Sequence, residues 1–284
     1  MPSRRATLLG IGAILLWATL ATLTVLTSAL PPFQTTAAAF AIGGLVIALA
    51  AIARGRAACL KPTIASLALG IYGLFGYHAL YFSALRLAPP AEAHLVSSLW
   101  ALLIVLFSAL LPGHRLRLNH VAGALLGFAA AALLVWPRIG TETAGGTSSD
   151  PGFLLALGCA LVWSSYSVTS RLLAAVPSES LAISCFVTSA LATICSLTFE
   201  NWIAPPNATA WFALAALGAG PVGAAFLLWD IGMKQGDTSL LGVLAYASPV
   251  MSTGLLVVLG LAAQTWTLAA ACALMVGAAA LATR

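Results

Sequence analysis

The chain has 284 residues, 61% of them hydrophobic and 7% charged, with a net charge of +5. Soluble domains carry about a quarter charged residues, so this chain cannot clothe a water-facing surface and the solvent it suits is lipid. That excludes a separate soluble domain. The basic residues form no patch of the kind that tracks a phosphate backbone, which excludes nucleic acid as a partner.

At roughly 20 apolar residues per crossing of a ~30 Å hydrocarbon core, the length accommodates about ten helices and short loops. Turn residues and charges divide the sequence into ten segments: 7–27, 33–53, 64–86, 90–111, 118–136, 152–173, 179–199, 208–234, 238–261 and 265–282. The first is long enough to span, so it reads as a membrane helix and not as a cleaved leader. Prolines mark the joints, at Pro31-Pro32, Pro89-Pro90, Pro112, Pro177 and Pro205-Pro206, because each lacks a donor and disfavours helix in the residue before it. One long polar link, 137–151, lies at the midpoint.

Side chains that could carry chemistry follow in chain order. Segment 1 places Trp17 near its middle, and segments 4 and 6 do the same with Trp100 and Trp163. An indole N–H at that depth needs an internal acceptor, and three such rings suggest a shared cavity wall. Trp136, Trp202, Trp211, Trp229 and Trp266 lie near segment ends and read as an interface belt. In segment 3, Leu74, Tyr77, His78, Tyr81 and Leu85 recur at three- and four-residue spacing, one helix face. Gly70, Gly73 and Gly76 form an adjoining face that permits close approach. Two tyrosines and a histidine at membrane depth are costly unless they face protein or trapped water.

Ser97 and Ser98 precede Trp100, and Ser164, Tyr166 and Ser167 follow Trp163. Segment 8 contains Gly218-Ala219-Gly220-Pro221, and segment 9 contains Gly242, Tyr246, Ser248 and Pro249. A proline inside a span frees a carbonyl, which suits Pro221 and Pro249 to hinges, and Gly242 near Pro249 is taken with them. Segments 5 and 10 are rich in alanine and glycine, which favours tight packing over cavity lining and offers a surface for at most a weak homodimer.

Glu92, Glu200, Asp230 and Asp237 all fall near segment ends. No carboxylate is placed for a standard proton relay or a sodium cage, leaving His78 as the group that could couple to protons. The sequence has no G-x-S-x-G, no H-E-x-x-H and no midplane aspartate dyad, so an intramembrane enzyme is disfavoured. A TVGYG-like filter or a ring of like charge, as a channel would need, is also missing. The five cysteines share no metal-ligand spacing, and neither a metal nor another cofactor is implied.

The two halves resemble each other. Ala13-Ile14-Leu15-Leu16-Trp17 matches Cys159-Ala160-Leu161-Val162-Trp163 at an offset of 146, and Ala84-Leu85-Arg86 matches Gly232-Met233-Lys234 at 148. Five helices is an odd number, so a second copy enters from the opposite side, giving an inverted repeat.

Ten helices as five plus five, the tryptophans of segments 1 and 6, and the turn Ala84-Leu85-Arg86-Leu87-Ala88-Pro89-Pro90-Ala91 resemble the drug/metabolite transporter superfamily, EamA-type. The resemblance covers nearly the whole chain, and within it the chain looks most like exporters of aromatic amino acids. It implies an all-α polytopic fold of two inverted five-helix repeats, residues 1–136 and 152–284, joined by a periplasmic link at 137–151. It also implies alternating access with hairpins 3–4 and 8–9 as gates, in a multi-pass protein of the cell inner membrane. Ala101 departs from these hairpins, which often carry a proline there, and puts a first-half hinge in doubt; the second half keeps Pro249.

The expected partners are the lipid bilayer and a small amino-acid-like substrate, held in a cavity of Trp17, Tyr77, His78, Tyr81, Ser97, Trp100, Trp163 and Tyr246. Hydrophobic cations are the alternative, since an aromatic cage attracts them through cation–π contact. Nucleotide-sugars would require arginine or lysine at that depth to meet phosphate, and none lies there.

Basic residues orient the chain. With the N-terminus inside, the cytoplasmic segments hold ten (Arg4, Arg5, Arg54, Arg56, Lys61, Arg115, Arg117, Arg171, Lys234 and Arg284) and the outer ones two (Arg86 and Arg138). Both termini are therefore expected in the cytoplasm. An impermeant thiol reagent added to intact cells should label a cysteine placed at Ser148; protection of that cysteine would reverse the orientation.

Overall fold

In lipid no water is at hand to bond exposed amides, so each crossing must satisfy its own backbone. The computed structural model describes residues 3–108, 118–136, 148–173, 175–236, 241, 244, 245 and 247–282, and these are organised as helices. In the first half, α1 (Arg4–Trp17) starts under Ser3, whose hydroxyl accepts from the Ala6 amide, and breaks after Trp17 before α2 (Leu20–Leu26). The long α3 (Pro32–Ala53) opens on a proline, whose missing donor costs nothing there. Next, α4 (Ile64–Gly70) runs through a π-helical stretch, Ile71–Gly76, into α5 (Tyr77–Leu87). A tight turn leads to α6 (Pro90–Ser97), then α7 (Trp100–Ser108) and α8 (Leu118–Val135).

The second half comprises α9 (Asp150–Ser170), α10 (Leu181–Phe199) and α11 (Ala208–Leu217). A second π-helical stretch, Gly218–Ala224, links α11 to α12 (Ala225–Gln235), followed by α13 (Ala247–Val258) and α14 (Trp266–Ala282). The two π stretches begin 147 residues apart, at Ile71 and Gly218, between the offsets read from the sequence.

Six of the helical spans are long and apolar enough to cross a membrane: Arg4–Leu26, Pro32–Ala53, Ile64–Leu87, Asp150–Ser170, Ser178–Phe199 and Ala208–Gly232. Four shorter apolar helices, Pro90–Ile104, Val121–Ala130, Ala247–Val258 and Trp266–Ala278, fall within the remaining expected segments. The chain is an all-helical, multi-pass membrane protein.

Contacts between the halves hold the bundle together. The helix α3 packs along α10, α8 along α14, α1 along α12 and α5 along α9. The α3–α10 pair is clipped at both ends. Glu200, just past the end of α10, accepts from the amides of Phe33 (2.8 Å) and Gln34 (3.0 Å) in the first turn of α3, and from Ser196 Oγ (2.8 Å). A carboxylate is favoured at that end because the first amides of a helix are unpaired and its dipole is positive there. The Gln34 side chain closes the corner, donating to Ile203 O (2.7 Å) and accepting from Ile203 N (3.1 Å). At the far end Arg56, beyond the end of α3, pairs at 3.0 Å with Glu179, which is buried ahead of α10. The start of each helix meets the end of the other, so they run antiparallel. Small residues let α3 sink in further: a Cβ on Gly43 would lie 3.1 Å from Gly223 N in the second π stretch, so the two backbones touch.

Four of the tryptophans expected at helix ends, Trp136, Trp202, Trp211 and Trp266, are exposed. Trp229 is different. Its ring lies 5.0 Å from that of Trp17, so it faces the interior of the bundle. Its place near the end of segment 8 hid this, because α12 carries it toward α1. The alanine- and glycine-rich α8 and α14 pack on each other, as their small side chains permit.

Candidate functional site

Trp17 is the last residue of α1, where the helix breaks. Its indole N–H donates to the carbonyl of Pro221 at 3.1 Å, the internal acceptor that its depth requires. Pro221 lies in the π stretch, where the shift in helical register and the missing proline N–H leave carbonyls free for side chains. Around this anchor Trp17, Trp100 and Trp163 form a triangle. Their ring centroids are 6.5, 6.0 and 6.5 Å apart and every pair meets edge-on. Phe226 of α12 joins them, 6.2 Å from Trp17 and 5.5 Å from Trp163.

These rings wall a cavity between the halves, lined also by Leu20, Tyr77, His78, His94, Ser98, Ser248 and Pro249. No charged side chain lines it among the described residues. Of the residues singled out in the sequence, Trp17, Tyr77, His78, Trp100 and Trp163 meet here, together with Pro249. Tyr81 and Ser97, expected on the wall, are fully buried and not among its lining residues: Tyr81 bonds His94, and Ser97 bonds the His94 carbonyl. Both lie on cavity-bearing helices, but α5 and α6 turn those positions inward against each other. Pro221 acts through its carbonyl. Tyr246 and Gly242 lie outside the described residues.

His94, Phe226 and Leu20 were missed. His94 was legible as a second histidine in an apolar segment; nothing in the sequence set Phe226 or Leu20 apart from packing residues. His78 is wedged among Phe40, Tyr77, Phe82 and Phe226, with centroids 4.7 to 5.7 Å away. Its Nδ1 lies 3.0 Å from the Leu74 carbonyl.

The first-half break doubted for want of a proline at Ala101 does exist, between Ser97 and Trp100. Ser97 and Ser98 both donate to the His94 carbonyl, each at 2.8 Å. Serine hydroxyls that bond back to the preceding turn compete with its amides and bend a helix. Trp100 is thereby swung toward the other two indoles.

A second, more polar cavity is lined by Ser66, Ser170, Ser184, Tyr166 and Asp230, among others. Tyr166 contacts Trp163 at 5.1 Å, so this pair stands between the two spaces. Gly73 makes room for it, since any Cβ there would run into the Tyr166 ring.

A lipid-embedded bundle with a small aromatic cavity between its halves is the build of a carrier for small molecules. The sequence profile of the EamA-like transporter family matches residues 4–136 and 150–284. The chain belongs to that family and is a membrane transporter. It is similar to the aromatic amino acid exporter YddG of Ancylobacter novellus, with 54% identity covering 100% of this chain and 98% of the relative. The exporter of the same name from Escherichia coli K12 is 25% identical, over 91% of this chain and 90% of the relative. A crystal structure of a protein 55% identical in sequence has a TM-score of 0.80, covering 99% of this chain and 98% of that one.

Removing one aromatic ring from such a wall costs about 0.5–2 kcal/mol of interaction with a ring or cation held against it. Trp100→Ala and Trp163→Ala should therefore slow transport several-fold while membrane abundance stays near normal. Full transport by both variants would reduce the triangle to packing.

Proposed function

We propose that this transporter exports small amphiphilic metabolites, above all aromatic and other neutral amino acids, across the inner membrane. The observation that carries the reading is the tryptophan-walled cavity without a charged side chain among its described lining. Indole faces stack on an apolar or aromatic side chain, while hydroxyls and imidazoles meet the polar groups of a substrate that is neutral overall. Similarity to exporters of aromatic amino acids along the whole chain points the same way.

The mechanism we propose is alternating access between two inverted five-helix repeats, residues 1–136 and 152–284, with the link 137–151 in the periplasm and both termini in the cytoplasm. The doubled family match supports the repeat, as do the paired π stretches and the antiparallel α3–α10 pair. That pair is tied at both ends and serves as a static spine. Motion is left to the hairpins: α5–α6 turns at Ala88-Pro89 and is broken again after Ser97, and α12 leads through 236–246 to α13 with Pro249 on the cavity wall. One closes the outer mouth, the other the inner. Substrate enters from the cytoplasm through the polar cavity beside Tyr166 and passes Trp163 to reach the centre. The protein acts as a monomer or weak homodimer.

Two experiments test this. In proteoliposomes, flux of L-phenylalanine and other neutral amino acids should saturate and exceed that of quaternary amines, and with no carboxylate among the described residues of the tryptophan-walled cavity it should persist after an uncoupler collapses the proton gradient. Preference for the amines would favour a cation carrier, and arrest by the uncoupler at constant protein would make His78 a proton site. Separately, a disulfide that ties the Leu87–Pro90 turn to the opposite half should abolish export. Transport that continues with that tie in place would refute the hairpin gate.

A further inference from the structure

The cavity wall holds two imidazoles, and their hydrogen bonds set them in opposite senses. His94, on α6, is 5% exposed and lines the cavity. Its Nδ1 lies 3.0 Å from the Tyr81 hydroxyl, and its buried Nε2 has no hydrogen-bond partner among the described residues. Tyr81 is completely enclosed, and His94 Nδ1 is the one partner of its hydroxyl among the described residues. An enclosed O–H in an apolar bundle must find an acceptor, so Tyr81 donates and Nδ1 accepts. A neutral imidazole that accepts at Nδ1 carries its proton on Nε2. His94 is thus an N–H donor with no acceptor among the described residues. His94 itself lines the cavity, and its Nε2 is closed off from solvent in this structure, so an occupant that takes the donor must come up against the ring.

His78 is reversed. The Leu74 carbonyl 3.0 Å from its Nδ1 can only accept, so the proton is on Nδ1 and Nε2 holds a lone pair. Nε2 makes no hydrogen bond to the described residues, and this ring too lines the cavity.

We infer that these two rings are the polar poles of the binding site: His94 Nε2–H takes the carboxylate of the substrate, and His78 Nε2 accepts from its ammonium. The inference rests on the amino-acid reading above and adds to it the groups that tell an amino acid from an amine or an acid. An unpaired buried donor is costly, so an occupant that brings an acceptor relieves a penalty which an analogue without one leaves standing. Because both poles are uncharged, the zwitterion is recognised without an ion pair that would hold it in the carrier. Tyr81 acts as a positioning residue, fixing the tautomer from behind the wall.

The test measures influx of labelled L-phenylalanine into proteoliposomes in competition with unlabelled L-phenylalanine, L-phenylalaninamide, which lacks the carboxylate, and 3-phenylpropionate, which lacks the ammonium. Wild-type protein should favour phenylalanine over both analogues. In His94→Phe the phenylalanine KM should rise about tenfold, equivalent to about 1.4 kcal/mol, and the advantage over phenylalaninamide should vanish while that over 3-phenylpropionate remains. His94→Gln, which keeps an N–H donor, should restore discrimination against the amide, and His78→Leu should show the opposite pattern. Tyr81→Phe keeps the ring but releases the tautomer, so it should blunt the same discrimination in a well-folded protein. Unchanged discrimination in His94→Phe, or an equal loss for all three compounds, would overturn the assignment. Failure of the wild-type protein to move phenylalanine would instead overturn the amino-acid reading, and the two poles with it.

Discussion

One hydrogen bond joins the halves of the molecule at its centre: the indole of Trp17 donates to the carbonyl of Pro221. In lipid an indole N–H has no water to turn to, and the carbonyl it finds lies in a π stretch, where helical register shifts. Each group relieves the other. The bond seats one edge of the Trp17 ring, and Trp100, Trp163, Phe226 and Trp229 pack around it. The cavity is the space these rigid rings leave between them.

The same constraint governs where the backbone can be irregular. Breaks facing lipid would expose unpaired amides, so they occur inside, where side chains or the opposite half repair them. The turn after α6 is made by two serine hydroxyls on the His94 carbonyl, and the π stretch at Gly218–Ala224 is covered by α3 through Gly43. The α3–α10 pair has an uninterrupted ladder and charged clips at its ends. Stiffness and pliancy are thus allotted to different helices. The broken ones carry the cavity.

An uncharged site has a consequence for transport. A fixed charge buried in the bundle would require a permanent partner and would bind an opposite charge too firmly to release it. On the proposed reading, aromatic faces, hydroxyls and neutral imidazoles would select by shape and by hydrogen-bond sense, each contact modest in strength. Discrimination then depends on which polar groups stay unpaired when the wrong molecule enters.

Much of this was legible in the sequence. Composition determined that the chain lives in lipid, because so few charges cannot cover a surface in water. Helical periodicity put Tyr77 and His78 on one face and Trp17, Trp100 and Trp163 at mid-depth, since depth follows from position along a span. The recurring offset reappears in the spacing of the two π stretches, which the sequence itself did not announce. The sequence could not say how each face is rotated against its neighbours, which only packing between helices settles. That rotation put Tyr81 and Ser97 behind the wall and His94 and Phe226 on it, and turned Trp229 away from the headgroups. Nor could spacing reveal that Glu200 caps a helix from the other half, or which nitrogen of each histidine holds its proton. Those depend on partners 13 to 167 residues away or hidden within a helical turn, and a hydrogen bond is decided by distance in space.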